Sequence, residues 1–136
     1  MTWFKDYVDK RVVLDIGCGE GLFLHKMNQA GIAAYGIEPY DPISLDPNKD
    51  FETPRNIIPQ IAETSPLIDL PRMLLVIARP CHDGFAYRVI KARNPENEVL
   101  YIGKSENIEY DIRDIPYTKL DVPETGDENE VVLSIK

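Results

Sequence analysis

The run Val12-Val13-Leu14-Asp15-Ile16-Gly17-Cys18-Gly19-Glu20-Gly21 leaves this chain few folds to choose from. The short apolar run over 11–16, ending around the carboxylate Asp15, reads as a first strand buried on both faces, the kind found in parallel sheets. The alternating glycines let the backbone turn sharply out of that strand, and they leave room for a ligand to lie almost on the main chain. A Cβ would block both. An amphipathic helix is then predicted over 22–30, with Phe23, Met27 and Ala30 on one face and Gly31 ending it. A second strand, 32–37, ends in Glu38, where a carboxylate can accept hydrogen bonds from both hydroxyls of a ribose. Strand, turn, helix and strand in this order present a nucleoside site at the carboxyl ends of two parallel strands.

The flanking sequence extends the sheet. Trp3, Phe4, Tyr7 and Val8 recur at helical spacing and predict a short helix over 2–9 that packs on it. Residues 39–56 are acidic and carry Pro39, Pro42, Pro47 and Pro54, which excludes a full helix there. Residues 57–62 read as a short third strand, placed at an edge by Pro59. Residues 73–78 form a strongly buried fourth strand and 84–92 a helix, with Phe85, Val89 and Ala92 on one face. Residues 98–102 form a fifth strand ended by Gly103. Strand-like runs at 117–122 and 131–135, joined by an acidic turn at 124–130, close the fold as a hairpin.

With 136 residues there is enough chain for one domain, taken here as 1–136, and one modest core. The net charge of −8 disfavours a nucleic-acid surface, which needs a positive field. No apolar run is long enough to span a bilayer and no secretory signal is present, so a cytoplasmic protein with no membrane role is expected. Two cysteines, Cys18 and Cys81, make no disulfide framework and read as reduced thiols. The few cysteines and histidines lack the paired spacing of a structural zinc site, and no metal is expected.

Residues 13–21 resemble the first motif of the class I, Rossmann-like S-adenosylmethionine-dependent methyltransferases, and Glu38 matches the acidic residue that closes their second strand. The close resemblance spans residues 11–39; beyond that it is one of pattern. It implies a three-layer α/β fold with a mostly parallel sheet and a C-terminal antiparallel hairpin, in a trimmed member, since the family's catalytic domains are longer. It also implies S-adenosyl-L-methionine as cofactor. Asp15, Gly17, Cys18, Gly19 and Gly21 would surround its methionine end and ribose. Glu38 would hold the ribose hydroxyls, and Gln60, Ile61 and Ala62 would flank the adenine.

Right-handed crossovers bring the ends of the first and fourth strands together, so Arg79-Pro80-Cys81-His82-Asp83-Gly84 is where an acceptor meets the cofactor. Arg79 joins the cofactor-binding set and can pair with a nearby acid or a substrate anion. Cys81 is a candidate nucleophile, in the manner of the cytosine-5 methyltransferases, although no Glu-Asn-Val-like element follows the fifth strand and there is no room for a target-recognition domain. His82 is a candidate general base, against a capping or solvent-facing role. Asp83 suits the cap of the next helix. The Asn/Asp-Pro-Pro-aromatic motif of amino-group methyltransferases is absent.

The expected activity is methyl transfer to a small-molecule or protein acceptor. The alternative is a non-catalytic, methyltransferase-like scaffold completed by a partner chain, or a homodimer covering an exposed sheet face. An NAD-binding domain is disfavoured because Leu22 stands where the third glycine of G-x-G-x-x-G belongs.

Overall fold

The computed structural model describes residues 2–40, 50–122 and 129–136. Its elements are α1 (Thr2–Val8), β1 (Val13–Ile16), α2 (Leu22–Gln29), β2 (Ala34–Ile37), β3 (Ile57–Ile58), β4 (Leu74–Ala78), α3 (Phe85–Ala92), β5 (Glu98–Lys104), α4 (Ile108–Asp111), β6 (Thr118–Leu120) and β7 (Glu130–Ile135), with short 3-10 turns at Ala62–Thr64, Pro66–Asp69 and Ser105–Asn107. They build a seven-stranded sheet in the order β3-β2-β1-β4-β5-β7-β6. Strands β1 to β5 pair parallel with one another, and β7 runs antiparallel between β5 and β6.

The alternation of side chains along each strand divides the core between the two faces. Leu74, Val76, Val13 and Leu100 pack against Phe4 and Val8 of α1 and Leu24 and Met27 of α2. Leu75, Ile77, Leu14 and Tyr101 pack against Ala86, Val89 and Ile90 of α3 and Ile112 beyond α4. Strands buried on both sides explain why β4 is apolar throughout, and why β1 is apolar but for the buried Asp15, rather than alternating. Among the described residues no helix is long and apolar enough to cross a membrane.

The structure corrects several expectations. The third strand is only two residues long, although it does lie at the sheet edge, and the chain after it coils into 3-10 turns. Gly103 does not end β5. The strand continues because Gly103 and Lys104 pair with Val131 and Glu130 of β7. The buried face of α3 is Ala86, Val89 and Ile90, with Ala92 exposed. Helix α4 was not anticipated. Residues 41–49 of the proline-rich stretch, and 123–128 of the acidic turn, lie outside the described residues.

Asn97 ties the 3-10 segment to the sheet. It is fully buried, donates to the carbonyls of Ile68 (3.0 Å) and Leu70 (2.7 Å), and accepts from the Met73 N–H (2.8 Å). Asn97→Ala strips a partner from three backbone groups, each worth about 1–3 kcal/mol when left buried and unmet. A loss of about 3 kcal/mol or more is expected in urea unfolding; a loss below about 1 kcal/mol would show that water replaces the amide.

Candidate active site

The in-register pairing Ile16↔Ile37 and Ile16↔Ile77 puts the ends of β1, β2 and β4 at one level. The residues that follow them, Gly17, Glu38 and the segment from Ala78, therefore meet at the carboxyl edge, where open α/β sheets take their ligands. Gly17, Gly19 and Gly21 have φ of +69°, +57° and +89°, a conformation costly for any residue with a Cβ. The loop they form is pinned to β2: the N–H groups of Gly17 and Cys18 donate to the Ile37 carbonyl at 2.8 and 3.2 Å. The Gly19 N–H donates to Oε2 of Glu38 at 2.9 Å. Among the described residues the other carboxylate oxygen has a long contact, 3.5 Å, from the Tyr40 N–H.

Asp15 lies at the heart of this arrangement, 4% exposed. Burial, and after it the charge of Glu38, pushes its carboxyl up to about 7. Two carboxylates held this close favour a ligand that brings hydroxyl or ammonium donors. Space exists for one, since a Cβ placed on Gly19 would meet nothing within 4 Å. The two acceptor carboxylates and the open backbone at Gly19 thus fit the nucleoside and amino-acid ends of S-adenosylmethionine.

Cys18 fills a different need. It packs on β2, where a Cβ on Gly36 would lie 2.7 Å from its sulfur, so glycine at 36 is what lets the loop sit down. Burial and the neighbouring Asp15 and Glu38 charges push its thiol up to about 12. Iodoacetamide should label the exposed Cys81 well before Cys18, as read by peptide mass spectrometry. Equal labelling would mean that the loop opens freely.

A cleft of about 890 Å³ runs beside the loop, lined by Cys18, Leu22 and Phe23 on one side and Ala78, Arg79 and Ile102 on the other. A second cleft, about 390 Å³, is lined by Pro80, His82, Tyr101, Gly103 and Lys104. Arg79 and Glu130 line both and are joined by a forked ion pair, Nε–Oε2 2.7 Å and Nη2–Oε1 3.0 Å. Arg79 itself adopts φ +49°, unusual for a residue with a side chain.

The remaining sequence candidates are placed as follows. The Gln60 side-chain oxygen accepts from the Ser65 hydroxyl at 2.5 Å, Ile61 is largely exposed and Ala62 is buried. Cys81 is exposed and lines neither cleft. Asp83 serves α3 as expected, its Oδ1 accepting from the Phe85 N–H at 3.0 Å, while Gly84 holds the cap position itself. His82 neither caps a helix nor simply faces water, as its Nδ1 lies 3.0 Å from Oδ1 of Asp111.

Asp111 escaped the sequence reading, as did Tyr101 and Glu130. A signal for Asp111 existed: Ile108, Ile112 and Ile115 form an apolar stripe at helical spacing, and Asp111 lies on it, where an acid is out of place unless partnered.

No known family model matches the sequence, and no curated protein does. Solved structures match the fold throughout. A protein from Pyrococcus horikoshii OT3 has a TM-score of 0.68 at 12% identity, covering 98% of this chain and 85% of its own. Magnesium protoporphyrin IX methyltransferase from Synechocystis PCC 6803, solved with bound S-adenosylmethionine, gives 0.62 at 12%, covering 98% and 74%. An S-adenosylmethionine-dependent methyltransferase from Archaeoglobus fulgidus gives 0.63 at 13%, covering 99% and 90%. The chain has the class I, Rossmann-like methyltransferase fold.

Proposed function

We propose that this protein binds S-adenosyl-L-methionine at the carboxyl ends of β1 and β2 and transfers its methyl group to an acceptor seated beyond β4. The observation that carries this reading is the pinning of Glu38 by the Gly19 N–H, beside Asp15 and three left-handed glycines. Glu38 keeps one oxygen for the ribose hydroxyls. Asp15 faces the cationic end, and the backbone of Gly17 to Gly21 lies against the ligand. Gln60 and Ile61 border the adenine, while Arg79 separates cofactor from acceptor. When bound, the sulfonium supplies an activated methyl group, so the protein's main task is alignment. The acceptor is a small molecule or a protein side chain, met by the Arg79–His82 segment, with Cys81 close by in sequence.

Calorimetric titration with S-adenosylmethionine, S-adenosylhomocysteine and, in parallel, NAD tests this. Micromolar binding of the first two and none of NAD is expected. Folded protein that binds neither S-adenosyl compound sinks the enzyme reading.

A second reading, a scaffold completed by a partner chain or a second copy, draws support from Tyr35, Tyr40 and Ile61. All three are exposed, and they follow or belong to the β2–β3 side of the sheet. A solution mass of one chain by light scattering would remove the second-copy form of this reading.

A further inference from the structure

Asp111 is a carboxylate only 1% exposed, and both its oxygens are engaged. Oδ2 accepts from the Tyr101 hydroxyl at 2.5 Å, and Oδ1 faces Nδ1 of His82 at 3.0 Å. Three separate elements supply these groups: β5, α4 and the loop after β4. Glycine at 103 makes the arrangement possible. Tyr101 and Gly103 point to the same side of β5, and a Cβ on Gly103 would lie 2.5 Å from the Tyr101 hydroxyl oxygen. The ring therefore folds over the glycine to reach Asp111. Burial, then the hydrogen bond to Asp111, raises the Tyr101 phenol, so it keeps its proton and acts as donor. His82 is the solvent-facing member, with its side chain 49% exposed on the second cleft. A buried carboxylate is costly unless paired, and a paired imidazole is held in one tautomer and one orientation.

We propose that Tyr101 and Asp111 are positioning residues that hold His82 with its proton on Nδ1, so that Nε2 acts in the second cleft as the base for a methyl acceptor that must lose a proton. This rests on the methyltransferase reading and narrows its acceptor to an O–H, N–H or S–H group, since a carboxylate or tertiary amine would need no base. The acceptor's lone pair forms the bond to the methyl carbon, the carbon–sulfur bond breaks with its electron pair left on sulfur, and the acceptor's proton passes to Nε2. The imidazolium then formed is stabilised by Asp111. Among the described residues the other charged groups facing this cleft are Arg79, Lys104, Glu106 and Glu130, with the Tyr110 ring edge-on to the imidazole at 6.3 Å.

The test needs no acceptor. Nitrogen-15 NMR of histidine-labelled protein near pH 8, with His25→Gln to assign the second ring, reads the tautomer directly. Wild type should show a protonated Nδ1 and a bare Nε2. Asp111→Asn offers an amide N–H to Nδ1, so it should move the proton to Nε2 and slow modification of His82 by diethyl pyrocarbonate by about tenfold or more. Tyr101→Phe, which keeps the packing, should leave the tautomer in place and slow the modification less. Wild-type His82 with its proton on Nε2, or an Asp111→Asn protein whose tautomer and rate are unchanged, overturns the relay. Calorimetry separates this from the reading it rests on. A protein that binds S-adenosylmethionine but lacks the tautomer signature loses only the relay. One that shows the signature but binds no cofactor loses the methyl donor, and with it the acceptor role assigned to His82.

Discussion

Glu38→Ala is expected to weaken S-adenosylmethionine binding by about 100-fold or more. A carboxylate that takes hydrogen bonds from ribose hydroxyls contributes about 1.5–3 kcal/mol for each such bond, and a loss of about 3 kcal/mol is about 100-fold in Kd. A second effect runs through the protein. The Gly19 N–H, 2.9 Å from Oε2, loses its acceptor, and with it one of the bonds that hold the glycine loop against β2. Glu38→Gln keeps the shape and one oxygen and should fall between wild type and alanine. Calorimetric titration of the three proteins decides the matter. An alanine variant within threefold of wild type would falsify the placement of the ribose at Glu38.

The second large effect concerns stability and has a defined sign. The Asp15 carboxyl is raised from 3.8 to about 7 by burial and by Glu38. The folded chain therefore keeps a proton that the unfolded chain has already released between about pH 4 and pH 7, so stability falls as pH rises through that window. Above it the deficit is complete, on the order of 4 kcal/mol for a shift of this size. Asp15→Asn removes the titration while keeping a polar group of the same shape. Its melting temperature should exceed that of wild type at pH 8 and match it near pH 4. Equal melting curves at both pH values would show that Asp15 ionises in the fold without strain.

The same substitution should cost affinity, because a cationic ligand gains from an ionised Asp15. Binding near pH 7 should accordingly release a proton, visible as a buffer-dependent calorimetric heat. A site that gives up stability to hold two acids side by side follows the usual exchange of stability for function.

The strand-turn-helix from Val13 to Gln29 and the acid at Glu38 were legible because their demands are local. A chain that must reverse within a few residues needs glycines at left-handed φ, and the structure places Gly17, Gly19 and Gly21 there. The buried strand β4 announces itself as an apolar run, and β1 as one broken only by Asp15, for an equally local reason: both faces are covered. Gly103 was misread because a glycine in isolation looks like a stop. Only the β7 partner and the Tyr101 ring lying over it explain why it sits inside a strand.

What tertiary structure alone decided is which polar groups meet. Arg79 and Glu130 are 51 positions apart, and His82 and Asp111 are 29 apart. Each pair forms because separate strands and helices end at the same edge of the sheet. Backbone conformation is set by neighbours in the chain and leaves its mark in the sequence, in glycines, prolines and the spacing of apolar residues. Side-chain pairing across the sheet depends on register and on the depth to which each group is buried. Neither is written at the position of either partner, so His82 could be named from its loop and Asp111 stood out only as an acid on an apolar stripe, while their pairing emerged from the tertiary structure alone.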